Sequence, residues 1–94
     1  MLIVEEEIKE KVISDVNEYF KRNKMRYTTF EILRKSNHLD DKHLFMVIAI
    51  NLNSKEYAVW TSWNNKKKSL NHGHYGIKDL NDCFEIIKKN THLI

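Results

Sequence analysis

Hydrophobic residues recur with helical spacing near both ends of the chain. Within residues 5–23 one stripe repeats at intervals of four, and it consists of Ile8, Val12, Val16 and Phe20. Within residues 80–89 there is a second stripe, which consists of Leu80, Cys83, Phe84 and Ile87. Both patterns predict amphipathic helices that bury one face. Asp79 stands where the N-cap of the second helix is expected.

The segment between these helices has the composition of a β-sheet. Residues 26–35 and 56–63 are rich in β-branched and aromatic residues, which predicts strands. Residues 44–52 are apolar without alternation, as expected for a central strand with both faces covered. We therefore predict one α+β domain over residues 1–94, with the order helix, three-stranded antiparallel meander, helix. Both helices are expected to pack on one face of the sheet.

Three further segments are predicted to connect or follow these elements. Residues 36–43 contain closely spaced His and Asp residues, which are more typical of a polar turn than of a metal site. Residues 64–78 are predicted to form a long loop before the second helix. Residues 91–94 end in Leu-Ile, and we expect this tail either to dock on the domain or to contribute to a dimer.

The predicted sheet has more apolar side chains than two helices on one face can cover. The opposite face would still include Phe45, Val47 and Trp60. Because an exposed apolar face of this kind marks an interaction surface, we expect it to bind a partner or a second copy of the chain. The alternative is that the loop at residues 64–78 folds back and covers this face.

The composition indicates the general class of protein and says little about its function. Of the 94 residues, 41% are hydrophobic and 31% are charged, with a net charge of +3, which suits one folded domain. A single cysteine excludes an internal disulfide and favours a reducing compartment. The sequence has neither the basic, apolar start of a secretory signal nor an apolar run of about 20 residues. We therefore expect a soluble, cytoplasmic protein without a membrane partner.

Residues 57–77 contain the features that could bind another molecule. The lysine triplet Lys66, Lys67 and Lys68 lies near Trp60 and Trp63, a combination of cations and rings that is typical of single-strand nucleic-acid binding. In a regular strand, however, the two tryptophans would point to opposite faces and could not form one stacking platform. The order of elements resembles the double-stranded RNA-binding domain, but that resemblance transfers no residue to this chain.

His72 and His74 suggest a third possibility. Two histidines at this spacing on an extended segment can ligate one metal ion, so a metal-dependent hydrolase is conceivable. A third ligand and a catalytic base have no evident source in the sequence. The favoured interpretation is a tight return of the chain at the two glycines, with Tyr75 packed back on the sheet. We predict no catalytic residue, no metal and no cofactor.

These observations favour a small non-enzymatic protein that binds a larger, acidic protein. Lysine, asparagine and isoleucine are frequent and proline is absent, which is typical of an AT-rich bacterial or phage genome. Small proteins of this kind often act as inhibitors, such as immunity proteins or phage anti-defence proteins. Nucleic-acid binding is the alternative function. The predicted contact residues are Phe45, Val47, Trp60, Trp63, Lys66, Lys67, Lys68, His72, His74 and Tyr75.

Overall fold

The computed structural model describes residues 6–34, 45–64 and 66–90. Along the chain, four strands lie between an N-terminal and a C-terminal helix. The elements are α1 (Glu6–Arg22), β1 (Tyr27–Arg34), β2 (Phe45–Asn51), β3 (Tyr57–Asn64), β4 (Ser69–Ile77) and α2 (Leu80–Asn90). The strands form one antiparallel sheet in the order β1-β2-β3-β4. The α+β class, both helices and the three predicted strands are confirmed. The predicted turn at 36–43 and the tail at 91–94 lie outside the described residues.

A fourth strand replaces most of the predicted loop at residues 64–78. Strand β4 (Ser69–Ile77) pairs with β3, and partners across this ladder include Trp63 with Leu70 and Trp60 with Gly73. The segment contains two glycines and several polar residues, with Ile77 as its one β-branched residue, so its strand propensity is low. It is a strand because β3 presents an edge to which a short turn returns the chain. The prediction of a three-stranded sheet is therefore wrong by one strand.

The two helices lie on opposite faces of the sheet. The α1 face joins the helix residues Val12, Val16 and Phe20 to the sheet residues Ile32, Phe45, Val47, Ala49, Ala58, Trp60, Trp63 and Leu70. The α2 face joins Cys83 and Ile87 to Leu33, Met46, Ile48 and Val59. Alternate side chains of β2 thus contact different helices, as the two-residue period of a strand requires. The prediction that both helices share one face is wrong.

This arrangement removes the free sheet face that the sequence predicts. Phe45, Val47, Trp60 and Trp63 are each at most 3% exposed, because α1 covers the face that they occupy. They stabilise the core and offer almost no surface to a partner. A dimer formed through a free sheet face has no such face available here.

Irregular pairing places both tryptophans on the same face. Phe45 faces Trp63 and Val47 faces Trp60, so β3 contains one residue more than β2 between these two pairs. Such a β-bulge rotates the side chains that follow it. Trp60 and Trp63 therefore both pack under α1, contrary to the alternation predicted for a regular strand. A second shift, between Thr29 and Glu31 of β1, similarly offsets the residues after it.

Polar contacts fix α1 along both of its flanks. On the β1 side, the Oδ1 atom of Asn17 accepts hydrogen bonds from the Thr29 amide at 3.0 Å and from the Thr29 hydroxyl at 2.8 Å. On the β4 side, the Lys68 ammonium lies 2.9 Å from the Asp15 carboxylate. The helix is thereby tied to both edge strands of the sheet. No helix among the described residues is long and apolar enough to cross a membrane.

The N-terminus of α2 has the cap that the sequence predicts. The Asp79 carboxylate accepts a hydrogen bond from the amide of Asn81 at 2.9 Å, and the Asp79 carbonyl accepts from the amides of Asp82 and Cys83. This satisfies donors that the first turn of a helix otherwise leaves unpaired. The cap fixes where the chain leaves β4 and turns onto the α2 face.

The C-terminus of α1 is closed by a Schellman motif. The Met25 amide donates to the Phe20 carbonyl at 2.8 Å, and the Lys24 amide donates to the Lys21 carbonyl at 3.2 Å. Lys24 has a positive φ of 56°, the left-handed conformation that glycine adopts without steric cost. The tight reversal leads directly into β1 and sets the position of α1 on the sheet.

Replacing Lys24 by glycine should therefore stabilise the protein. Removing Cβ relieves the left-handed strain, and we expect Lys24→Gly to raise the free energy of unfolding by about 0.5–1 kcal/mol in urea titrations. Lys21→Gly is the matched control, since glycine within a helix costs about 1 kcal/mol. If both variants lost stability, the left-handed cap at Lys24 would be wrong.

The stability of the protein at alkaline pH should depend on the burial of Cys83 between α2 and the sheet. Burial raises the pKa of this thiol from 9.0 to about 11, because the apolar surroundings disfavour the thiolate. The folded pKa exceeds the unfolded one, so this contribution is complete below pH 9 and is lost as the pH rises towards 11. The free energy of unfolding should fall by up to roughly 3 kcal/mol more in the native protein than in Cys83→Ala. Parallel pH profiles for the two proteins would contradict the burial of Cys83.

Candidate functional site

Strand β4 forms one edge of the sheet and contains three of the exposed residues among the predicted contacts. In the described part of the chain it pairs with β3 on one side, and its other side has no strand partner. His72, His74 and Tyr75 of this strand are exposed. An edge strand presents backbone donors and acceptors outwards, which another extended segment can pair with.

Tyr75 is an exposed ring that rests on a buried one. Its side chain is 61% exposed, yet its ring packs edge-on against Trp60 with the ring centroids 5.5 Å apart and the planes at 80°. Trp60 in turn contacts Phe20 at 5.4 Å and Tyr27 at 5.2 Å between centroids. Each such aromatic pair is favourable by about 0.5–1.5 kcal/mol beyond its burial. Tyr75 is thus the exposed end of an aromatic cluster and is held in place by it.

The contact between Tyr75 and Trp60 depends on the glycine between them. A Cβ atom on Gly73 would lie 2.7 Å from Cζ of Tyr75 and 2.8 Å from Nε1 of Trp60, and it would also collide with the Tyr75 hydroxyl. These distances are shorter than side-chain atoms tolerate. Gly73 is therefore required by the close approach of two rings.

Strand β4 bends at two places along this edge. His72 has a positive φ of 59° and Gly76 one of 68°. The register with β3 also shifts between Tyr57 and Val59, so β4 contains an additional residue near Gly76. Bulges and bends of this kind interrupt an edge and prevent indiscriminate pairing with other strands. The edge is therefore less open to unlimited strand addition than a regular edge would be.

Within the part of the chain that the structure describes, His72 and His74 belong to no metal-binding cluster. In the ranges 6–34, 45–64 and 66–90, no group of three or more His, Cys, Asp or Glu side chains is arranged to hold an ion. The two histidines alone would supply fewer ligands than a zinc site requires. Both are exposed and lie beside the aromatic cluster, where they can contact a partner.

The lysine triplet lies in the turn between β3 and β4, and its three side chains have different surroundings. The Asn64 side-chain oxygen accepts hydrogen bonds from the amides of Lys66 and Lys67, both at 3.0 Å, which holds this turn in shape. Lys66 and Lys67 are exposed. Lys68 instead lies against α1, where its ammonium pairs with Asp15. Two of the three charges therefore extend into solvent and one is neutralised within the domain.

Arg22 is a residue of this region that sequence reasoning did not identify. Its guanidinium donates a hydrogen bond to the Lys68 carbonyl at 3.3 Å and lies over the Tyr19 ring, 5.9 Å from the centroid. It is 46 residues away from Lys68 in sequence, so no local pattern signals the contact. Its position near the end of α1 indicated only a favourable interaction with the helix dipole.

Gly73→Ala should disturb the aromatic cluster and destabilise the protein. The added methyl group must displace Tyr75 or the buried Trp60, and we expect a loss of about 1–3 kcal/mol in urea unfolding. Gly76→Asn is the control, because the space around Gly76 is open and asparagine tolerates a positive φ. An alanine variant as stable as the native protein would show that the rings do not approach Gly73 this closely.

Comparison with known protein families gives one match. A family profile described as large polyvalent protein associated domain 24 matches residues 11–81, a range that includes all four strands. Comparisons with curated proteins and with solved structures found no match. The match is compatible with a small non-enzymatic module of a polymorphic-toxin or phage-type system. Because the match spans more than half of the chain, this protein belongs to the large polyvalent protein associated domain 24 family.

Proposed function

We propose that the domain is a non-enzymatic binding module that docks on another, larger protein through the β4 edge. The observation that carries this proposal is the exposed Tyr75 ring, fixed on Trp60 at an edge of the sheet. Tyrosine is among the residues that most often dominate binding energy at protein interfaces. A side chain already held in one orientation loses little conformational entropy on binding.

The proposed mode of binding is addition of an extended segment of the partner to the sheet. The backbone of β4 supplies directional hydrogen bonds along its outer side, and Tyr75 supplies an apolar contact. His72 and His74 lie on the same strand and would line the contact. The bends at His72 and Gly76 limit which segments fit.

Nucleic-acid binding has less support than protein binding. Single-strand binders stack bases on exposed rings, but Trp60 is 3% exposed and Trp63 is fully buried. The exposed ring of Tyr75 lies at the far end of β4 from the lysine triplet. The rings that the sequence associates with the lysines are therefore part of the core.

Catalysis also has little support among the described residues. The histidines lie in no three-ligand group, and Cys83 is buried with a raised pKa, which opposes its use as a nucleophile. Together with the family's association with large polyvalent proteins, this favours recognition as the role of the domain. The specific proposal is an inhibitor of the immunity or anti-defence type.

Site-specific cross-linking tests the proposed surface. A benzophenone amino acid at position 75 should cross-link one defined protein in extracts of the cells that express the domain. Tyr75→Ala should reduce capture of that protein by about tenfold or more, since truncated hot-spot residues cost at least 2 kcal/mol of binding.

Phe30 provides the matched control for this experiment. It is an aromatic residue that is 44% exposed, but it lies in β1 at the opposite edge of the sheet. The same cross-linker at position 30, and the variant Phe30→Ala, should leave capture unchanged. Equal cross-linking from both positions, or full capture by Tyr75→Ala, would contradict docking at β4.

A further inference from the structure

We propose that Lys66, Lys67 and Arg22 form a second contact, which binds an acidic stretch of the partner segment that lies along β4. This inference rests on the proposed function, because it assigns a chemical character to the partner's segment. The basic site consists of residues from two elements that the fold brings together at the β3–β4 turn. It lies at the opposite end of β4 from Tyr75. The two ends of the edge therefore differ chemically, and a bound segment would have one preferred orientation.

Hydrogen bonds hold the backbone at Lys66 and Lys67 in a defined turn. The carboxamide oxygen of Asn64 binds both of their amides, and this oxygen bridges the first half of the turn. On the far side of the turn, Lys68 adopts a positive φ of 54°. Because these bonds fix the backbone of the turn, both lysine side chains extend into solvent from defined positions.

Contacts with α1 fix the turn from the other side and add a third cation. The Lys68 ammonium is 2.9 Å from the Asp15 carboxylate, and the Lys68 carbonyl accepts the Arg22 hydrogen bond at 3.3 Å. That bond uses one of the five N–H donors of the guanidinium, and the Arg22 side chain remains exposed. Arg22 thus adds a planar guanidinium to the turn that carries Lys66 and Lys67, and a guanidinium is well suited to bind carboxylates.

The surroundings favour a carboxylate-bearing peptide over a nucleic acid. Trp63, the ring nearest to the turn in sequence, is buried against Tyr19 and is inaccessible to a base. Cations that follow a nucleic-acid backbone usually extend as a stripe, whereas here the turn adjoins the carboxylate of Asp15. The β4 edge continues from the turn and offers the backbone pairing that an extended peptide provides.

The length of β4 sets the spacing that a partner segment should have. Tyr75 follows Lys67 by eight residues, and a strand advances about 3.3 Å per residue, so the two contacts are roughly 20 Å apart when the bends are allowed for. The partner segment should therefore have acidic residues at one end and an apolar residue some six to eight positions away. Acidic residues at this end also accelerate association, because they are attracted to the turn before contact.

Titration with designed peptides tests this inference directly. The probes are short, extended Thr/Val peptides with three glutamates at one terminus, made in both directions, and the same peptides with lysines instead. Binding to the isotopically labelled protein is followed by amide chemical shifts. The glutamate peptides should shift the resonances of Lys66, Lys67 and β4 and should bind at least about fivefold more weakly to Lys66→Gln/Lys67→Gln. Raising the salt concentration should reduce the affinity.

The control is the variant Lys55→Gln/Lys78→Gln, which removes the same charge at the other end of the sheet, where both lysines are exposed. It should bind the glutamate peptides as the native protein does. Equal binding of the lysine peptides, equal loss in both variants, or no binding of the glutamate peptides would overturn the inference. Tighter binding of a short thymidine oligonucleotide, lost with Lys66 and Lys67, would overturn it in favour of nucleic acid. Cross-linking from position 75 is independent of these outcomes, so a failure here leaves docking at β4 separately tested.

Discussion

The structure depends on a central pair of strands whose side chains are apolar on both faces. From Phe45 to Ala49, every residue of β2 is at most 3% exposed, and most of β3 is buried as well. Such strands are stable only if each face of the sheet is covered, since burial of apolar surface contributes about 25 cal/mol per Å². One helix on each face meets this requirement. The Schellman motif after α1 and the capped start of α2 direct the two helices to opposite faces.

This constraint determines where another molecule can bind. With both faces covered, the aromatic residues that could have formed a wide apolar surface become the core. Among the described residues, the large apolar side chains that remain exposed are Phe30 in β1, Leu52 between β2 and β3, and Tyr75 in β4. Of these, Tyr75 is the one that packs on the Trp60 ring. Packing therefore explains the apolar surplus, and the proposed recognition surface is an edge of the sheet.

Much of the fold follows from the sequence, and the failures have local physical causes. The helices were predictable because their stripes and the Asp79 cap are local signals. Strand β4 is not predictable from local signals because Gly73, Gly76 and Asn71 have low strand propensity, which pairing with β3 overrides. The faces of Trp60 and Trp63 were misassigned because a β-bulge has no signature in this sequence. Arg22 and the pairing of Lys68 with Asp15 connect distant parts of the chain, which periodicity does not reveal.

The most direct test of the account is to measure methyl-to-methyl and methyl-to-ring nuclear Overhauser effects in selectively labelled protein. The account predicts contacts of Val47 with Val16 and Phe20 of α1, and separate contacts of Met46 and Ile48 with Ile87 of α2. Neighbouring residues of β2 would then show Overhauser effects to different helices. Tyr75 would show them only to the Trp60 cluster. Contacts of both helices with the same set of β2 residues would contradict the account. They would leave one sheet face open and restore it as the surface for a partner.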